Sequence, residues 1–227
     1  MSMSRGLPTC RARRAAIALT VAALAIAGTA LTVHGAYIQA KAVTAQLLMR
    51  AAWTRAGREA RDVINRRVGP SPEIRPWPWA DTWPVARLRV PALAVDQIVL
   101  ADAGGESMAF GPSHVAASAA PATPGITVIG GHRDTHFSWL RDLHPGDIVD
   151  LESVEGRRVS YRVIERRVVA PDNVRFEATD SSGALVLVSC HHDPDRPGAD
   201  LRDVVIALAQ GRGRHAAGVD WTEVRAY

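Results

Sequence analysis

Lysine is almost missing from this chain: Lys41 is the only one among 227 residues, so the 27 basic residues are otherwise all arginine. Cysteine is scarce as well, and two thiols, Cys10 and Cys190, cannot build the disulfide framework of a small secreted scaffold. There is no P-loop and no GxGxxG motif after a strand, so nothing points to a nucleotide or redox cofactor. No repeat of fixed period is visible. With 47% hydrophobic and 22% charged residues, the chain is too apolar for a disordered tail and long enough to bury a core.

Acidic residues are absent from the first 40 positions, where Arg5, Arg11, Arg13 and Arg14 stand alone. Residues 41–67 add seven bases against Glu59 and Asp62, and the rest of the chain holds sixteen bases against twenty-one acids. The net charge of +4 is therefore the sum of a basic N-terminal part and an acidic body. That distribution argues for membrane orientation and against a nucleic-acid partner, which would need the basic charge on the folded domain.

No charged residue interrupts Ala15 to Ala40, a stretch longer than the ~20 apolar residues that span a bilayer. The arginines before it predict a cytoplasmic tip over 1–14, a single-pass anchor over 15–40 and an extracytoplasmic remainder. A cleaved signal peptide, suggested by Gly28, Thr29 and Ala30, would have a shorter apolar region of ~7–15 residues. Residues 41–76 read as a basic helical stalk followed by a linker. Val43, Leu47, Leu48, Ala51, Ala52, Val63 and Ile64 recur near helical spacing between arginines, as in a solvated helix. The prolines from Gly69 to Pro84 then break it, and Trp77, Trp79 and Trp83 read as packing that docks the linker onto the domain beyond.

From there the pattern becomes short apolar runs divided by Gly, Pro, Asp and Asn, which reads as a small, mainly β barrel. Eight strands are expected: Ala86 to Val90, Gln97 to Ala101, Ile126 to Gly130, Ile148 to Leu151, Val159 to Ile164, Arg166 to Ala170, Leu185 to Cys190 and Val204 to Leu208. Two brief helices are expected, Glu106 to Phe110 and Phe137 to Leu143, the second with Phe137, Leu140 and Leu143 on one face.

Three elements carry chemistry. Cys190 ends the apolar run ALVLVSC and, with Cys10 before the membrane segment, would be a lone thiol outside the cytoplasm, where such thiols are oxidised or used. His132 leaves an apolar strand through two glycines, which places it at a sheet rim. An arginine follows the cysteine, either Arg196 between turn dipeptides or Arg202 at the start of a strand, and a guanidinium there can donate to a developing oxyanion. The order His then Cys is the reverse of papain-like enzymes. A rival is a zinc hydrolase using His132, His136, Cys190, His191 and His192, although adjacent histidines on an extended chain face opposite ways. Another is a membrane-anchored barrel that binds a partner without catalysis. Asp134 could orient His132, line a groove, or cap the short helix that follows.

The segments WPWADTWPVARLRVP, ESMAFGPSH, GGHRDTHFSWLRDLHPGD and LVLVSC, together with an arginine on the next strand, resemble the sortases, and more narrowly the class found in Gram-negative proteobacteria. The resemblance implies an eight-stranded sortase barrel as a catalytic domain over 77–210, with a tail over 211–227. It implies His132, Cys190 and Arg202 as the catalytic three; beside them Asp134, His136, Ser189 and His191 are read as substrate-binding or orienting residues, Asp134 and His136 by orienting His132 or lining the groove. It implies a membrane-anchored cysteine transpeptidase, without cofactor or metal, that cleaves an LPxTG-like C-terminal sorting signal of a surface protein and transfers the product to an amine or to water. The expected location is the inner membrane, with the domain in the periplasm. After the cysteine the chain departs from that class: it reads CHHDPDRPGAD where an aromatic residue and proline are common.

Overall fold

The computed structural model describes residues 10–66, 73–102, 107–170, 183–193, 198 and 200–210. Among the expectations above, those for residues 1–9, the linker at 67–72, Glu106, Arg196 and the tail from 211 lie outside the described residues.

Helix α1 (Cys10–Arg66) runs without a break between Pro8 and Pro70, and its many alanines are the best helix formers. The described residues divide into two units, one ending at Ala45 and the other starting at Gln46. Before the division, Ile17, Leu19, Val21, Leu24, Ile26, Leu31 and Val33 are all exposed. The hydroxyls of Thr29, Thr32 and Thr44 donate to the carbonyls four residues back, at 2.8 Å each. A helix apolar on all sides, with its hydroxyls satisfied internally, suits hydrocarbon, and α1 is long and apolar enough to cross a membrane.

After the division the same helix has one buried stripe. Met49, Ala52, Ala56 and Ala60 are spaced by three or four residues and buried, while Arg50, Arg55, Arg58 and Arg61 stay exposed. Met49 packs with Ile98 and Leu100 beside Trp53, Trp77 and Phe110. Ala56 and Ala60 pack with Val154 beside Trp53 and Ile74, and Gln46 Nε2 donates to the Phe110 carbonyl at 3.0 Å. The expected solvated stalk is thus solvated on one side only. Alanine is small enough to let the helix lie close to the barrel, and it gives a weaker hydropathy signal than the arginines around it.

Eight strands close a barrel in the order β1-β2-β3-β4-β7-β8-β6-β5. They are β1 (Pro84–Val90), β2 (Val95–Leu100), β3 (Ser113–His114), β4 (Ile126–Gly130), β5 (Ile148–Ser153), β6 (Arg158–Val169), β7 (Ala184–His191) and β8 (Leu201–Ala209). The expected total is met, but two members differ. Val159 to Ile164 and Arg166 to Ala170 form one strand, β6, whose ladder to β8 shifts register between Val163 and Glu165. Such a bulge breaks the two-residue alternation and makes one strand read as two. The strand not expected is β3, which has two residues, too few to show a period.

Successive strand residues face opposite ways. The inward set fills the main core, including Leu88, Val99, Ile129, Leu151, Tyr161, Leu185, Leu187 and Val205. On the other side of β4, β7 and β8 a second cluster holds Val186, Val204 and Ile206, flanked by Ile126, Val128 and Val188. Phe137, Trp139, Leu140 and Leu143, from the segment after β4, join the main core. The face expected of that segment is therefore buried, but only Leu140–Asp142 is helical, as one 3-10 turn. Residues Ser107–Ala109 form another. Trp77 packs edge-on against Phe110, with centroids 4.9 Å apart, as a docked linker requires. Trp79 does not, being 79% exposed.

Candidate active site

Cys190 lies near the end of β7 with its thiol exposed. The antiparallel ladder between β7 and β8 sets Arg202 directly opposite it, where facing Cβ atoms sit ~4.5–5.5 Å apart. On the other flank β4 and β7 run parallel, from Ile126 against Ala184 to Gly130 against Val188. Gly131 N–H still donates to the Val188 carbonyl, at 3.0 Å. Carrying that offset to the next residue sets His132 level with Cys190. Three neighbouring strands, β4, β7 and β8, thus bring His132, Cys190 and Arg202 to one end of the sheet.

The turn around His132 is tightly determined. The His132 carbonyl accepts from the N–H of Phe137 at 2.9 Å and of Thr135 at 3.4 Å, and the imidazole is exposed. The Phe137 ring lies directly on Gly131, where a Cβ would come within 2.8 Å of it. Gln97 Nε2 holds the His136 carbonyl at 2.8 Å. His136 itself is half-buried; burial lowers its pKa, which a hydrogen bond with the Ala109 backbone partly offsets.

Two arginines, Arg133 and Arg202, lie within electrostatic reach of Cys190, and each is paired with a nearby aspartate. Arg202 Nη1 binds Asp200 and, at 3.1 Å, the Leu201 carbonyl. The Asp200 bond raises its pKa, and the Cys190 charge adds to the rise. Arg133 Nε and Nη2 take the two Asp134 oxygens, at 2.7 and 2.8 Å, which lowers the Asp134 pKa. Asp134 therefore engages its neighbour's guanidinium. It does not cap the 3-10 turn Leu140–Asp142, whose N-cap residue is Trp139 and which has no side-chain cap bond.

Ser189 is buried, one residue from Cys190 and so on the opposite face of β7. His191 pairs with Leu201 and is half-buried, while His192 is exposed. Among the described residues no three His, Cys, Asp or Glu side chains converge as a metal would require, so the zinc arrangement finds no support there. One feature escaped sequence reasoning: Asp203 is buried and takes a forked bond from Arg166, 37 residues earlier. The sequence does not single the pair out, since Arg166 is one of five charged residues in β6 and Asp203 directly follows Arg202 in β8.

The sortase domain family matches residues 88–210, more than half of the chain. No curated protein matches. Several solved structures share the fold. Sortase A from Corynebacterium diphtheriae is 21% identical with a TM-score of 0.51; the match spans 60% of this chain and 65% of that one, under two thirds of its length. A Clostridium perfringens sortase D5 transpeptidase is 16% identical with a TM-score of 0.54, over 74% and 96% of the two chains. A Clostridium perfringens sortase C, solved with the C-terminal cell wall sorting motif, is 14% identical with a TM-score of 0.52, over 72% and 88%. At these identities the likeness speaks for the fold, while the domain match over 88–210 assigns the family: this chain belongs to the sortases.

Proposed function

We propose that this sortase is a cysteine transpeptidase of the class found in Gram-negative bacteria, with Cys190 as nucleophile, His132 as general acid and Arg202 as oxyanion donor. The observation carrying this reading is the register: Cys190 faces Arg202 across β7 and β8, and β4 pairs with β7 up to Gly130 against Val188, two residues before His132 and Cys190 respectively. The Cys190 thiolate attacks the carbonyl carbon of the scissile peptide bond of an LPxTG-like sorting signal. The carbonyl oxygen becomes an oxyanion, to which Arg202 donates; among the described residues its bonds, to Asp200 and Leu201, use Nη1, and Nε and Nη2 are assigned to this role. As the C–N bond breaks, the His132 imidazolium protonates the departing amine, leaving a thioester on Cys190. An amine or water then attacks the thioester, neutral His132 accepts its proton, and the C–S bond breaks to release the product and return Cys190 as thiolate.

In this reading residues 15–40 anchor the chain in the inner membrane with 1–14 in the cytoplasm. The catalytic domain over 77–210 works in the periplasm on a surface protein bearing the sorting signal. Asp134, His136 and His191 border the site, and Ser189 backs the nucleophile's strand from inside the barrel.

Mass spectrometry of the purified protein mixed with LPxTG-like peptides tests the proposal. The expected result is a Cys190 adduct carrying the acyl part of the peptide, absent in Cys190→Ala although that variant keeps the wild-type melting temperature. Peptide cleavage that persists in Cys190→Ala would overturn it.

A further inference from the structure

Outside the three proposed catalytic residues, one side chain joins the elements that carry two of them. Arg166, on β6, donates from Nε to Asp203 Oδ1 at 2.8 Å, from Nη2 to Asp203 Oδ2 at 2.5 Å, and from Nη1 to the Arg141 carbonyl at 2.8 Å. Asp203 follows Arg202 on β8 and points inward, its side chain only 8% exposed. Arg141 belongs to the segment that starts at Gly131 and His132 and covers the barrel end with Phe137, Leu140 and Leu143. A buried carboxylate held by a planar fork is set in both distance and angle, which a lysine ammonium would not achieve.

Resting on the catalytic reading above, we propose that Arg166 is a positioning residue whose three hydrogen bonds hold His132 and Arg202 in register with Cys190. Through Asp203 it fixes the start of β8, and so the place of Arg202. Through the Arg141 carbonyl it fixes the far end of the His132 segment, whose near end is held by Gly131 on Val188. One guanidinium therefore couples the proton donor's loop to the oxyanion donor's strand, from inside the barrel and without touching substrate.

The test uses the full-length protein in detergent, a sorting-signal peptide, and the matching ester with a leaving group acidic enough to depart unprotonated. In Arg166→Lys, kcat for the peptide is expected to fall ~100-fold, as for a small displacement of a catalytic group, with KM within ~3-fold of wild type. The ester, which needs no proton from His132, is expected to lose less than ~10-fold. Because Arg166→Lys leaves Asp203 poorly paired, a second variant, Arg166→Met with Asp203→Leu, removes both charges and keeps the volume apolar, an exchange that is often neutral or stabilising for a buried ion pair. It is expected to melt near wild type and still lose peptide turnover more than ester turnover. Wild-type kcat in that folded double variant, or equal losses on peptide and ester, would overturn the positioning role. Failure of the wild-type protein to form any Cys190 acyl-enzyme would instead sink the catalytic reading beneath it.

Discussion

Along β4, β7 and β8 alternate residues serve different ends. Ile129, Leu185, Leu187, Val205 and Ala207 face inward, fully buried in the main core. Val128, Val186, Val188, Val204 and Ile206 face the other way in a separate cluster, and their lines lead to the strand ends that carry His132, Cys190 and Arg202. The inward face is closed by neighbours on every strand, so its side chains are constrained by volume. The outward face ends in an exposed thiol, so its last residues are constrained by what they must reach. A one-residue slip of β7 would exchange the two roles and turn Cys190 into the core.

The largest effect that separates the faces is expected from a truncation on the inner one. Leu187→Ala removes a fully buried side chain and should cost about 2–5 kcal/mol of stability, as other buried leucines do. Cys190→Ala, three residues along the same strand, should leave the melting temperature unchanged while removing turnover. Thermal melts of the two variants beside wild type measure the contrast. Equal melting temperatures would mean that β7 is not divided in this way.

The strands themselves are legible in the sequence as the apolar runs ITVIG and ALVLVSC, but both faces of each run are apolar, so the division between the faces is not. The arginine after the cysteine was narrowed to Arg202 by resemblance, and it is the ladder that sets Arg202 opposite Cys190. What escaped has physical reasons. Strand β3 has no period to read. The bulge in β6 hides its continuity. The alanine stripe from Ala52 to Ala60 buries little area per residue, so exposed arginines dominate the signal and the packed face of α1 looks like solvated helix. The Arg166–Asp203 pair joins β6 to β8, and no local pattern announces a contact between residues 37 apart.

A second contrast comes from pH. Tyr161, inward on β6 and 1% exposed, has its pKa pushed up to about 12 by burial. In the unfolded chain a tyrosine ionises near 10, so between pH 10 and about 12 the unfolded state binds fewer protons than the folded one. Stability must then fall as pH rises through that window, by roughly 2.7 kcal/mol for two units. Tyr161→Phe should remove this part of the alkaline slope in denaturant melts at stepped pH. If the slope is the same in both proteins, the inner face is wetter than its packing implies.

The two faces meet at the paired glycines that end β4, and a comparison of these neighbours should give the smallest and most local effect. A Cβ on Gly130 would meet Met108 Sδ at 3.7 Å and the Ser113 carbonyl at 4.0 Å, ordinary contacts, whereas on Gly131 it would meet the Phe137 ring at 2.8 Å. Phe137 is buried in the main core, so Gly131→Ala must move the ring, the turn or both. The cost should be about 1–3 kcal/mol, as for other overpacked sites. Because the Phe137 N–H bonds the His132 carbonyl, the same displacement should lower turnover beyond what the melting temperature accounts for at the assay temperature. Gly130→Ala should match wild type in both measurements. A Gly131→Ala protein that keeps full turnover despite lower stability would show that His132 does not depend on this contact, and that core and chemistry are separable even where the strand ends.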